Sequence, residues 1–382
     1  MRRGIPIRAA LLLLVTGACA SAPAAARDAS PAAGAAIRSY AYTTSSPRIR
    51  VTRFNLPRGV VGGYPTEFNT MAEGSDGAIW FAYVRELGHK VTSGIGRAAP
   101  SGKITLFPLK WADWEAGAVA AGPDGALWFT MASVGGALRS AVGRITTSGR
   151  MSMFPLPPPA DLAVQCNRGP EGGGCATSFY YEPRGIVSGP DGNLWATGGL
   201  DSIWRITPAG DVTTFHTLGQ SSWPSAIAAG SEGNVWVVET TNNPFVLPQE
   251  VVARVTPTGT VTESSQLAPQ TAGQRLSAGI VPTPSGTLWL GGENFLEKVT
   301  ATGQATKYSL PVAVSNGVVG PDGNPWFATS KGVLTVARSG HITELGFPGQ
   351  RYNRVSGIAT EPGKALWLLE LSARSIVRIS IG

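Results

Sequence analysis

The sequence predicts an all-β protein, a seven-bladed β-propeller of four-stranded antiparallel blades closed by an N-terminal strand. Three observations carry this. A turn-plus-tryptophan unit recurs seven times, and a strand–turn–strand unit follows most copies of it. Glycine (49 residues) and proline (29) are abundant in the 382, while long helix-period stretches are missing.

The first unit reads "GSDGAIW" ending at Trp80, "GPDGALW" at Trp128, "GPDGNLW" at Trp195 and "GSEGNVW" at Trp236. It continues as "TPSGTLW" at Trp289, "GPDGNPW" at Trp326 and the looser "EPGKALW" at Trp367. The copies are 37 to 67 residues apart, the period of a solenoid or propeller. The second unit, as in "VGRITTSGRMSMF" and "IWRITPAGDVTTF", alternates apolar and polar residues on both sides of a glycine turn, which marks a hairpin. Each repeat therefore holds four strands, and only a closed ring buries their faces. The tryptophans are expected to fill the space between adjacent blades. Asp76, Asp124, Asp191 and Asp322 sit where a turn aspartate bonds nearby backbone N–H groups. A calcium loop is the competing meaning of "PDGN", but the spaced carboxylates of an EF-hand are absent.

The last repeat stops at "SIVRISIG", one strand short, and "IRVTRFNLP" (49–57) has the pattern of that missing strand. Such a clasp would remove the open sheet edges.

Residues 1–26 read as an export signal: a basic start (Arg2, Arg3), an apolar run and small residues after it. "VTGAC" also resembles a lipobox, in which Cys19 would be lipidated; ordinary cleavage within 20–26 is the alternative. Residues 27–47 read as a disordered tether and 48–382 as the propeller. Arg2, Arg3 and Arg8 lie in the signal, so removing three charges from the formal +7 leaves +4. The remaining cations are scattered, which argues against a nucleic-acid groove. Cys166 and Cys175, with eight residues between them, are expected to form a disulfide in an oxidising compartment, worth about 2–3 kcal/mol. The expected protein is an exported monomer, periplasmic, secreted or held at the cell envelope through Cys19.

The paired signature, strongest in "AGPDGALWFT…AVGRITTSGRMSMFPLP" (121–157), resembles the virginiamycin B (streptogramin B) lyase family. The resemblance implies a seven-bladed propeller and a Mg²⁺-dependent C–O lyase that opens a cyclic depsipeptide by elimination. Such chemistry needs a base for an acidic Cα proton and a cation or donors for the developing enolate. In the family the base is a histidine in a "PHGI"-type loop, with a second in a "PHAI" loop one blade earlier. The matching loops here read "VSNGVVG", which puts Asn316 at one histidine, and "NRVSGIAT", which puts Ser356 at the other and Arg354 at an adjacent glutamate. Glu370 in "LLELSARS" roughly matches the remaining glutamate. Neither Asn316 nor Ser356 is an unaided base near neutral pH.

Three histidines are present. His216 and His341 read as exposed strand or turn residues, whereas the His89 loop could lean over the channel. Glu370 and His89 are thus the remaining catalytic candidates. The loops at the channel end mix charge with aromatics, including Trp114 and Trp223, which suits a small polar, peptide or glycan ligand. The sharpest is "YYEPRGI", where Glu182 and Arg184 could clamp a polar group. The binding set expected from sequence is Glu182, Arg184, Trp223, Glu239, Glu293, Asn316, Arg354 and Ser356. Binding without catalysis is weighed against the lyase and against a metal-dependent sugar-lactone hydrolase, for which Glu239 and Glu293 are the conceivable metal ligands.

Overall fold

Each copy of the turn-plus-tryptophan unit closes the first hairpin of a sheet, and each second unit supplies the remaining pair of strands. A computed structural model describes residues 49–381 apart from 63–69, 135–138, 159–181, 200, 218–221, 231–232, 242–249, 267–275, 301–303, 330, 347–354 and 371–373. Cys19, the signal, the tether, Cys166, Cys175 and Arg354 lie outside the described residues. Within them the chain forms seven antiparallel sheets: blades 1 (60–108), 2 (114–155), 3 (183–216), 4 (222–266), 5 (276–309), 6 (314–346) and 7 (355–381). The innermost strand of each touches that of the next, and blade 7 touches blade 1 in the same way, so the ring is closed. The innermost strand of blade 1 is in two pieces, Val60–Gly62 and Met71–Glu73, both paired to Ile79–Leu87.

One knot of side chains repeats around this ring. Trp128 donates its indole N–H to Asp124 Oδ1 at 3.0 Å, the Ala126 N–H reaches the same oxygen at 3.3 Å, and Arg144 Nε takes Oδ2 at 2.6 Å. Blade 1 has the same set in Trp80, Asp76 and Arg97. In blades 3 and 6 the second oxygen accepts instead from Asn193 and Asn324, both at 2.8 Å. The asparagine of "PDGN" thus serves its own aspartate. Blade 7 lacks the aspartate, and Glu361 takes its place, accepting from Trp367 at 3.1 Å and Arg378 at 3.0 Å. Burial alone would raise the carboxyls of Asp76, Asp124 and Glu361, but these hydrogen bonds and the arginine charge outweigh it and hold them below their ordinary values.

The tryptophans pack between blades, as expected. Trp80 lies in a cluster with blade 2 residues, Trp128 with blade 3, Trp195 with blade 4, and so on to Trp367 with blade 1. In blades 1, 2, 3, 5 and 7 the indole also packs on an outer-strand aromatic of its own blade, such as Trp128 on Phe154 at 5.3 Å between centroids. The next blade presses a turn glycine onto that second ring. Gly149 (φ 89°) would place a Cβ 2.6 Å from Phe107, so no larger residue fits there.

The N-terminal strand completes this pattern. Ile49–Asn55 runs antiparallel to Ser375–Ile381, from Ile49 opposite Ile381 to Asn55 opposite Ser375. Phe54 stacks on Trp367 at 5.7 Å and meets Gly102 of blade 1, as the other outer-strand phenylalanines meet the glycine of the blade after theirs. Deleting residues 49–57 should abolish cooperative unfolding. Phe54→Ala should cost about 2–3 kcal/mol, less than a fully buried ring, as read from urea denaturation.

Candidate functional site

The end of the channel where the inner strands begin is shaped by a repeated break in pairing. In blades 2, 3, 4, 5, 6 and 7 the ladder between the first and second strands shifts register, leaving extra residues on the inner strand. A bulge re-aims the side chains at the break, and bulges concentrate beside binding sites.

Two devices hold these bulges. In blades 2 and 3 a threonine two residues past the tryptophan accepts a freed backbone N–H: Thr130 Oγ1 from Ala118 at 2.9 Å and Thr197 Oγ1 from Gly185 at 3.1 Å. In blades 4 and 6 the bond runs the other way. Ser225 and Ser315, on the bulges, donate to the carbonyls of Val238 and Ala328 at 3.2 and 3.3 Å. The sequence signal for the first device is a Trp-x-Thr triplet, legible beforehand but not singled out.

This register also sets the blades level with one another. Ile186 pairs with Ala196, Gly317 with Phe327 and Ile358 with Leu368, each partner being the residue after a repeat tryptophan. Ser315 and Ser356 therefore stand level with Arg184, and Asn316 lies one residue further on, level with Gly185. Asn316 itself is buried.

Blades 2, 3 and 4 bring the strongest chemistry together. Arg184 leaves its bulge and lies over the ring of Trp223 on blade 4, 5.4 Å from the ring centre. Glu182, two residues earlier, is raised above the ordinary carboxylate range by burial, against the pull of Arg184. Glu115 on blade 2 is raised by burial and then by the charges of Glu182 and Glu86, so the three carboxylates feel one another. Trp114, beside Glu115, carries Arg139 on its face at 5.4 Å. Glu86 is a residue that sequence reasoning passed over. It stands on the outsized hairpin of Ile79–Leu87 and Lys90–Ala98, and nothing in the repeat pattern flags it.

The other expected residues are dispersed. His89 is exposed at the tip of that hairpin. Glu239 and Glu370 occupy the same position of their blades, three residues past the tryptophan, and both are buried. Glu239 accepts from Ser222 at 3.1 Å, while Glu370 accepts from Ser375 at 2.7 Å and pairs with Arg53 at 3.5 Å. Glu293 is exposed at a turn of blade 5. Among the described residues no group of three or more His, Cys, Asp or Glu is placed to hold a metal ion. No helix is long and apolar enough to cross a membrane among those residues.

A second charged cluster lies away from the channel. Lys307 and Glu297 are cross-strand partners on blade 5, and Lys307 Nζ sits 3.9 Å from the centre of the Phe295 ring. Burial pushes the Lys307 ammonium below its ordinary value, against the charges of Glu297 and of Glu250 on blade 4.

Comparison with known proteins follows this geometry. Residues 45–175 match the model of the virginiamycin B lyase family, so the resemblance seen in the repeat signature is borne out there. A catalytically inactive variant of virginiamycin B lyase from Staphylococcus aureus with quinupristin is 21% identical. Its TM-score is 0.67 over 88% of this chain and 100% of its own. A streptogramin B lyase structure is 21% identical with a TM-score of 0.63, over 87% and 98%. YCF48 bound to D1 peptide is 13% identical with a TM-score of 0.56, over 90% and 98%. At these identities the structural likeness shows the fold alone. No curated protein matches the chain.

The raised carboxyls make a prediction. A carboxyl whose folded value is raised favours the fold below its ordinary value near 4.5 and costs stability as pH rises through the folded value. Glu182→Gln should therefore unfold about 1–2 °C above the parent at pH 7, with the gap closing below pH 4.5 in calorimetry.

Proposed function

We propose that this propeller binds a small polar, peptide or glycan ligand at the end of the channel bordered by blades 2, 3 and 4. It does so without the histidine base of the family it resembles. The observation that carries the reading is Arg184 held 5.4 Å over Trp223 beside Glu182, whose carboxyl is raised by burial. A guanidinium, an indole face and two carboxyls raised by burial offer donors, acceptors and a stacking surface to one ligand. Their partial desolvation is already met by the fold, so a ligand with matching polar groups gains affinity rather than losing it to dehydration. At the levels where the family carries its histidines this chain has Ser315 or Asn316 and Ser356, none of which removes a Cα proton unaided. The protein acts after export as a monomer, released or tethered through Cys19, with a Cys166–Cys175 disulfide closing the insertion before blade 3.

A second reading is a Mg²⁺-assisted C–O lyase acting on a cyclic depsipeptide. It is favoured by the match of residues 45–175 to the virginiamycin B lyase family model. One experiment separates the two. The purified protein is incubated with quinupristin and Mg²⁺, following tryptophan fluorescence for binding and chromatography for the ring-opened alkene. The expected result is saturable quenching with no conversion, weakened about fivefold by Arg184→Ala or Trp223→Ala. Conversion at a rate proportional to enzyme would establish the lyase reading instead. Absence of quenching with quinupristin and with a panel of peptides and oligosaccharides would remove the binding reading.

A further inference from the structure

We infer that Thr197 is a positioning residue that fixes Arg184 over Trp223, an inference that rests on the blade 2–4 end being the ligand site. Thr197 is fully buried on the second strand of blade 3, two residues past Trp195, and it makes no approach to the channel mouth of its own. Its Oγ1 accepts the Gly185 N–H at 3.1 Å. That N–H belongs to the bulge between Pro183 and Ile186, where the ladder to the second strand is interrupted. Without the threonine oxygen the donor would be buried with no strand carbonyl to meet it.

The peptide after Arg184 is confined from a second side. A Cβ on Gly185 would lie 2.7 Å from Ile227 Cγ2 on blade 4 and 3.2 Å from Thr197 Oγ1. The position thus admits only glycine, and the peptide cannot drift towards blade 4. Held between the hydroxyl and Ile227, the backbone sends the Arg184 side chain in one direction, across the seam onto the Trp223 ring.

The repeats supply the comparison that makes this a matter of position and not of folding alone. Blade 2 has the same device, Thr130 accepting from Ala118 at 2.9 Å, but the residue level with Arg184 is Gly117, which displays nothing. In blades 4 and 6 the level residues are Ser225 and Ser315, whose hydroxyls are turned back onto the second strand. Among these bulges blade 3 is the one that combines a hydroxyl clamp from the strand with a cation on the bulge itself. Thr197 and Thr130 are therefore equivalent in the fold and different in what they hold.

The test uses Thr197→Val, Thr197→Ser and Thr130→Val in the full chain. Three quantities are read: the unfolding temperature, the ring-current shift of the Arg184 side-chain protons over Trp223 (assigned with Arg184→Ala), and quinupristin affinity. Thr197→Val and Thr130→Val should lower the unfolding temperature alike. Thr197→Val alone should lose the ring-current shift and weaken quinupristin about fivefold, the worth of one such cation–ring contact. Thr197→Ser, which keeps the acceptor, should restore both. Should Thr197→Val not fold, Thr197→Ala removes the same acceptor with less crowding and is read in the same way. Retention of the shift in the variant lacking the acceptor, or an equal loss in Thr130→Val, overturns the inference. If the parent protein binds neither quinupristin nor any of the panel peptides and oligosaccharides, the ligand-site reading fails on that result, while the ring-current shift still decides the role of Thr197.

Discussion

The structure depends on the bond between a turn carboxylate and the indole that follows it four residues later. Asp124 and its counterparts fix one end of the tryptophan while the ring is pressed between blades. One residue type thereby closes a turn, orients an aromatic ring and anchors an arginine from the third strand. Removing the carboxylate would leave a buried indole N–H and a guanidinium without their acceptor. Blade 5 carries Ser285 at that turn position, and blade 7 supplies the carboxylate in another way. Its turn has lost the aspartate, and a glutamate six residues before the tryptophan reaches to the same two donors.

How much was legible in the sequence follows from this. The tryptophans, the turn glycines and the missing fourth strand of blade 7 repeat, so seven weak signals add to one strong one. The aromatic stack of Phe54 on Trp367 was foreshadowed by the likeness of 49–57 to other outer strands. The site is another matter, because its residues are the ones that do not repeat. Glu182 and Arg184 were visible as an unusual pair next to a conforming Gly-Ile. The partnership of Arg184 with Trp223 crosses two blades and thirty-nine positions, and no local pattern announces it. Ser315 stands eleven residues before its tryptophan, as Arg184 and Ser356 do, and the strand pairing puts these three level, with Asn316 one residue further on.

The division of labour between fold and site is visible in the bulges. Of the six described breaks in the inner ladder, those of blades 2, 3, 4 and 6 are held by a hydroxyl, whether from the strand or from the bulge. Where serine on the bulge does the holding, the side chain is consumed by the scaffold. Where threonine on the neighbouring strand does it, the bulge position is left open to any side chain. The choice of which hydroxyl to use therefore decides which blades can carry chemistry.

The pairing of Ile49–Asn55 with Ser375–Ile381 has a temporal side. The strand that a ribosome finishes early finds its neighbour only when more than three hundred further residues have been made. Until then six blades can stack, but the circle stays ajar and one edge of the seventh sheet is bare. A chain of this kind reaches its native state late and all at once, with an unusually distant contact as the final step. Anything that delays or occupies the early strand holds the whole molecule open.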